Sequence, residues 1–220
     1  MKKKRIERAL AQGLLLSLLG CPTAGLAQTA KPNESMDYRH HGLFVHLTAG
    51  LGARFLFAGA PAKDGGPSPR LGGGAELVGL DTPDVLALGW SLKEELAVHA
   101  QVVLGFTTAL RGMDNPIGAS GASAGYAAVG LGATAYGITD VFATPMVSYV
   151  RMGWFDGGSG LPLPASLQGV MVGLQFGKEW WLARRFLLGV TGQLDYQWLS
   201  GDDGTWHGLG VGALATLAIN

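Results

Sequence analysis

Three side chains with the chemistry of an acid–base or metal site stand far apart in this 220-residue sequence: His46, His99 and Glu179. A histidine ring can donate a proton, accept one or ligate a metal near neutral pH, and a carboxylate can be its partner. Brought to one depth in a fold, the three could form such a site. The same residues could instead fill the interior of a narrow barrel and hydrogen-bond there. The sequence favours this second interpretation, so we expect no catalytic residue, no cofactor and no metal.

Three further charged residues are predicted to point into the barrel, namely Arg54, Arg185 and Asp195. A charge inside a narrow lumen is costly unless it is paired, which predicts the pairs Arg185–Glu179 and Arg54–Asp195. Together with His46 and His99, these residues form the predicted inward polar plug.

Strands are the elements that must position these side chains, because apolar residues recur at every second position. The clearest example is a hairpin over residues 167–199, whose apolar face carries Val170, Val172, Leu174 and Phe176 and then, after a short reversal, Phe186, Leu188 and Val190. Period-two alternation with aromatic residues at both ends of the apolar face is typical of a strand between lipid and a polar interior. Trp90, Trp180, Tyr196 and Trp198 are the predicted interface aromatics. Carbohydrate stacking is the alternative role for exposed tryptophans.

Eight such strands can be placed, which predicts an all-β fold: an eight-stranded antiparallel transmembrane β-barrel of the outer-membrane type over residues 42–220. The expected strands cover residues 43–57, 84–92 with a weaker extension before Pro83, 96–106, 127–136, 141–149, two strands in the hairpin, and 209–219. Pro145 should cause a bulge or a lost ladder bond. Longer connections follow strands one, three and five, which predicts that both termini are periplasmic. Residues 58–73 and 108–122 would then be external loops that contact a surface partner.

A soluble barrel is the main structural alternative, because its alternation is similar but inverted. Its polar face would carry many lysines and glutamates, whereas the polar faces of this chain are dominated by Gly, Thr, Ser, Gln and His. Charged residues make up only 15% of the sequence, Gly numbers 36 and the formal net charge is zero. The sequence therefore favours the membrane barrel, and its lack of a basic patch after the N-terminal segment argues against a nucleic-acid partner.

Residues 1–27 have the basic start, apolar core and small-residue end of a secretory signal peptide, with cleavage after Ala27 or after Ala30. An uncleaved anchor is the alternative. The run before Cys21 also resembles a lipobox, in which that cysteine would be lipidated. Residues 28–41 would be a periplasmic lead-in. The predicted location is the outer membrane, with its lipid and the barrel assembly machinery as partners.

A family resemblance rests on one specific segment and on the Gly-rich C-terminal strand; the segment is Gly177-Lys178-Glu179-Trp180-Trp181. In these features the chain resembles a family of uncharacterised Gram-negative outer-membrane β-barrel proteins. The resemblance implies a compartment and a fold, and no activity.

The predicted function is a structural or cell-surface interaction role without catalysis. An outer-membrane enzyme that modifies lipid or lipopolysaccharide is the alternative. A small channel is a weaker hypothesis, because eight strands leave room in the lumen only for side chains.

Overall fold

The structure, a computed structural model, describes residues 42–58, 76–112, 122–137, 140–155, 166–201 and 204–219. The predicted signal peptide at residues 1–27, the lead-in at residues 28–41 and Cys21 lie outside these ranges. The same holds for most of the two predicted external loops.

Eight antiparallel strands pair in sequence order, and β1 pairs with β8 to close the barrel. The strands are β1 (Gly42–Ala58), β2 (Glu76–Lys93), β3 (Leu96–Gly112), β4 (Ser123–Tyr136), β5 (Val141–Phe155), β6 (Ser166–Ala183), β7 (Phe186–Gly201) and β8 (Gly204–Ile219). The predicted eight-stranded antiparallel barrel is therefore confirmed. We call the end at which β1 begins and β8 ends the terminal end, and the opposite end the loop end.

The barrel wall is apolar on its outside and polar over much of its inside. Large apolar side chains face outward on all eight strands; examples are Leu47, Leu86, Leu104, Leu131, Val147, Val172, Val190 and Val211. The charged side chains Arg54, Asp81, Glu179 and Asp195 are buried inside. This arrangement is the reverse of a soluble barrel and is that of a barrel that spans a membrane. Within the described ranges, no helix has the length and apolar character needed to span a membrane.

The strands extend further toward the loop end than the sequence pattern predicts. β3 continues to Gly112, β4 begins at Ser123, and β5 continues to Phe155, while the weaker extension expected before Pro83 is part of β2 from Glu76. The predicted loop at residues 108–122 is accordingly shorter. Inside this end lies a cluster of buried apolar residues: Leu56, Leu77, Leu110, Ala124, Met152, Leu167, Leu199 and Trp206. Because this apolar cluster lies on the inward face, the contrast between polar inward and apolar outward positions fades there, although the strands remain paired.

Both strand prolines interrupt pairing on one side only. Pro145 pairs with Leu174 of β6, while the β4 ladder is interrupted at this point and resumes in the same register. Pro83 likewise pairs with Gly105 of β3 and not with β1. A proline has no backbone N–H, so the ladder bond is lost without a bulge, and β2 continues through Pro83 as one strand.

Candidate functional site

An ionic network centred on Arg54 occupies the lumen. Its guanidinium donates to Asp81 Oδ2 from Nε at 3.1 Å and from Nη2 at 2.8 Å, and to Asp195 Oδ1 from Nη1 at 2.9 Å. Arg54 has no exposed surface, and both aspartates are 2% exposed. Charges this deeply buried are stable in a fold only when each is paired and hydrogen-bonded, as these are.

Neutral side chains complete the network. Arg54 Nη2 donates to the Tyr126 hydroxyl at 2.8 Å, and that hydroxyl donates to Asp81 Oδ2 at 3.1 Å. Thr107 donates to Asp81 Oδ1 at 2.9 Å, and Gln193 donates to Asp195 Oδ2 at 3.2 Å. The network thus joins β1, β2, β3, β4 and β7 inside the barrel.

Two glycines make room for this network. A Cβ on Gly105 would collide with the Tyr126 ring, and a Cβ on Gly210 would collide with the Asp195 carboxylate. Each glycine faces inward on the strand next to the side chain it accommodates. The Tyr126 ring and the Asp195 carboxylate therefore fit inside the barrel because the residues paired with them are glycines.

The three predicted acid–base residues lie in the terminal half of the lumen, where His46 approaches Glu179 and where His46 and His99 line one small cavity. His46 Nε2 lies 3.8 Å from Glu179 Oε1, and Glu179 is 1% exposed. His99 is in ring contact with Phe44, at 6.0 Å between centroids, and Phe44 also contacts His46 at 4.7 Å. Among the described residues, no group of three or more side chains is placed to hold a metal ion.

Arg185 is a correction to the sequence interpretation. It is exposed in the two-residue turn between β6 and β7, so it does not belong to the interior and does not pair with Glu179. Side chains alternate between inward and outward only within a strand. Arg185 lies in the turn just before β7, so the alternation of β7 does not determine where its side chain points. The pair predicted between Arg54 and Asp195, in contrast, is present at 2.9 Å.

Hydroxyl and amide side chains fill the layer between the two groups. Thr134 bonds Thr144 at 2.9 Å, Thr191 bonds Thr216 at 2.7 Å, and Gln175 donates to Gln193 at 3.1 Å. The cavity that remains among them has a volume of about 10 Å³, which is close to the space of one water molecule.

The predicted interface aromatics all face outward. Trp90, Trp180, Tyr196 and Trp198 are between 43% and 62% exposed. Trp90 and Trp180 lie near the terminal end, whereas Tyr196 and Trp198 lie near the loop end. His207 joins the second pair through a 2.6 Å hydrogen bond between its Nδ1 and the Tyr196 hydroxyl.

Asp81, Tyr126 and Thr107 are the residues of the network that sequence reasoning misses; Thr107 lies one residue beyond the predicted end of its strand. Asp81 lies before Pro83, where the strand is expected to weaken, and Tyr126 lies one residue before the predicted start of its strand. If the alternation of each strand is continued by a few residues, all three side chains are predicted to point inward.

Comparison with known proteins gives likenesses in fold only. No family model and no curated protein matches the sequence. Among solved structures, the chain is similar to Ail, the attachment invasion locus protein of Yersinia pestis (11% identity, TM-score 0.40, covering 80% of this chain and 99% of that one). It is also similar to Neisserial surface protein A (12% identity, TM-score 0.48, covering 81% of this chain and 96% of that one). A third similar structure is the outer membrane protein OprG from Pseudomonas aeruginosa (11% identity, TM-score 0.48, covering 82% of this chain and 96% of that one). Shared folds host many functions, so these likenesses assign no function to this chain.

Proposed function

We propose that this protein is an outer-membrane barrel with a side-chain-filled lumen and a structural or cell-surface interaction role without catalysis. The observation that carries this proposal is the Arg54 network. It links β1 to β4 inside the barrel, and the polar layer beside it leaves a cavity of only about 10 Å³. Side chains that fill the lumen in this way stabilise the wall and leave no passage for solutes.

The arrangement of the histidines argues against an interior reaction centre. General acid–base catalysis requires groups within hydrogen-bond reach of a substrate atom. His46 and Glu179 approach each other only to 3.8 Å, and the neighbouring cavity has no room for a substrate. We therefore assign the pair a packing role.

The outer membrane is the compartment in which such a barrel is expected. Membrane-spanning strands must close into a barrel because lipid cannot hydrogen-bond an open edge, and β1 and β8 close this one. The predicted signal peptide and the alternating connection lengths support the same location, with the loop end outside the cell.

Gel mobility of fractionated cells tests the location and the closed barrel together. The expected result is a band in the outer-membrane fraction that migrates faster when the sample is not boiled. A heat-independent band in the soluble periplasm would overturn the proposal. The outward apolar residues would then not face lipid.

Planar-bilayer recording of the purified protein tests the filled lumen. We expect no conductance above the leak of the bilayer. Regular single-channel steps would show that the interior side chains leave a continuous path, and the protein would then be a channel.

A further inference from the structure

A groove of about 650 Å³ lies on the outer face of the barrel, toward the loop end. It crosses β2 to β6, and its lining includes Asp84, Leu104, Phe106, Gly125, Arg151 and Gly153. Two of these residues are charged, although they project into the lipid-facing side of the wall.

Strand register explains the shape of the groove. Leu104, Ala127, Arg151 and Gln168 are successive partners across β3 to β6 and form one row. The next row toward the loop end consists of Phe106, Gly125, Gly153 and Ser166. A Cβ on Gly153 would meet no atom within 4 Å, so the floor is open beside Arg151. The rings of Phe106 and Phe155, with centroids 5.7 Å apart, form the rim.

Arg151 stands at the depth expected for lipid headgroups. It lies ten residues beyond the start of β5 at Val141, and its side chain is exposed. A tilted strand rises about 2.5 Å per residue along the membrane normal, which places Arg151 roughly 25 Å from the terminal end, at the edge of an apolar band of about that height. Within the described residues, the guanidinium takes part in none of the ion pairs. A cation at this level requires an anion or water.

Gln168 supplies a second donor beside the guanidinium. It is the direct register partner of Arg151, and its Oε1 accepts a 2.7 Å hydrogen bond from the Tyr149 hydroxyl. This bond fixes the amide so that its oxygen is engaged and its nitrogen is the group left to donate. Guanidinium and amide N–H groups side by side are suited to phosphate oxygens.

The wall below Arg151 is suited to acyl chains. Toward the terminal end, the outer face continues over exposed Val129 and Tyr149 into a second groove, of about 400 Å³, lined by Leu131, Ala133, Pro145 and Val147. The two grooves lie on the same strands, so donors at headgroup level stand above an apolar path.

Asp84 marks the far edge of the groove. It is three strands from Arg151 along the row, so the two Cα atoms are about 14 Å apart at ordinary strand spacing. At that distance across a hydrated interface, Asp84 does not neutralise Arg151.

We propose that this groove binds a phosphate-bearing anionic membrane lipid, with the phosphate held by Arg151 and Gln168 and the acyl chains lying over β4 and β5. The site rests on the proposed membrane location but is separate from the lumen. The wild-type barrel therefore stays heat-modifiable and closed whether or not this lipid is selected.

Native mass spectrometry of the full mature protein in non-ionic detergent tests the site with three probes: dioleoyl phosphatidylglycerol, dioleoylglycerol and inorganic phosphate. Phosphatidylglycerol should bind, and Arg151→Gln should weaken its binding roughly tenfold, the loss expected for a charge-assisted bidentate contact. Arg185→Gln removes a cation from the turn at the opposite, terminal end of the barrel and should bind as well as the wild type. Gln168→Leu keeps the cation and should give a smaller loss.

Specific outcomes would overturn the proposal. Equal binding by the wild type and Arg151→Gln, both showing the fast unboiled band, would mean that the cation is not used. If only Arg151→Gln fails to fold, undiminished binding by Gln168→Leu would overturn the phosphate site in the same way. Equal binding of dioleoylglycerol would show a groove for acyl chains alone. Displacement of phosphatidylglycerol by an equal concentration of inorganic phosphate would show an anion site that does not recognise lipid.

Discussion

Arg54 and Tyr126 meet across the lumen, with Arg54 Nη2 2.8 Å from the Tyr126 hydroxyl and the guanidinium carbon 4.2 Å from the ring centroid. Their strands, β1 and β4, are three positions apart in a ring of eight, so the two residues project from nearly opposite sides of the barrel wall. Both partners also bind Asp81, and Arg54 binds Asp195 as well. One guanidinium therefore cross-links the barrel from within.

Replacing Arg54 with methionine should destabilise the barrel severely. Asp81 and Asp195 would be left as buried charges without a cation, and breaking such a pair costs about 3–5 kcal/mol. Urea unfolding of the reconstituted barrel, followed by tryptophan fluorescence, measures the loss. Adding Asp81→Asn and Asp195→Asn to Arg54→Met should restore part of it.

Arg185→Gln is the matched control for that experiment. Arg185 is exposed in a turn, so its loss should change the free energy of unfolding by no more than about 0.5 kcal/mol. Equal stability of Arg54→Met and Arg185→Gln would contradict a supporting role for the interior network.

A methyl group on Gly105 should weaken the same network. The Cβ of Gly105→Ala would collide with the Tyr126 ring, and overpacking of this kind costs about 1–3 kcal/mol. Gly153→Ala is the control, because its Cβ would meet no atom within 4 Å and no loss is expected. The shift of the urea unfolding midpoint measures the loss of stability in each variant. Equal shifts for the two variants would show that the contact between Gly105 and Tyr126 is not the cause.

Depth in the membrane should decide the effect of a charge on the outer face. Leu131 and Leu182 are equally exposed, at 65% and 64%, but Leu131 lies near the middle of β4 and Leu182 near the terminal end of β6. In a bilayer, Leu131→Arg should cost about 2–4 kcal/mol and Leu182→Arg about 0–1 kcal/mol. Unfolding from lipid vesicles compares the two variants. In a soluble barrel neither substitution would be costly, so two small losses would contradict the membrane-spanning assignment.

Combined replacement of His46, His99 and Glu179 by glutamine separates the two functional hypotheses. If these residues only pack the terminal half of the lumen, the variant should leave the lipid composition of the outer membrane unchanged and should alter folding alone. Mass spectrometry of extracted lipids and gel mobility measure the two effects. A lost lipid modification in a normally folded variant would establish the enzyme instead.

The strand number and the two faces of the wall follow from the sequence, because alternation is a local property. Leu96, Val98, Val102 and Leu104 show the outward stripe of β3 without reference to any other strand, and His99 and Gln101 show its inward side. Prediction fails where that signal stops. Arg185 is misplaced because a turn has no alternation, and the loop-end parts of β3 to β5 are predicted too short because apolar side chains line the lumen there.

The sequence by itself determined that this chain forms strands with an apolar outward face and a polar inward face, since side-chain direction in a strand needs only residue order. Only the tertiary structure decided which inward residues meet. Arg54 reaches Tyr126 and two aspartates, while His99 does not join Glu179, and the Arg151 groove exists because glycines on neighbouring strands fall into one row. Partners of this kind are 27 to 141 residues apart in the chain. Their meeting depends on the register of every strand pair and on barrel closure, which no single segment encodes.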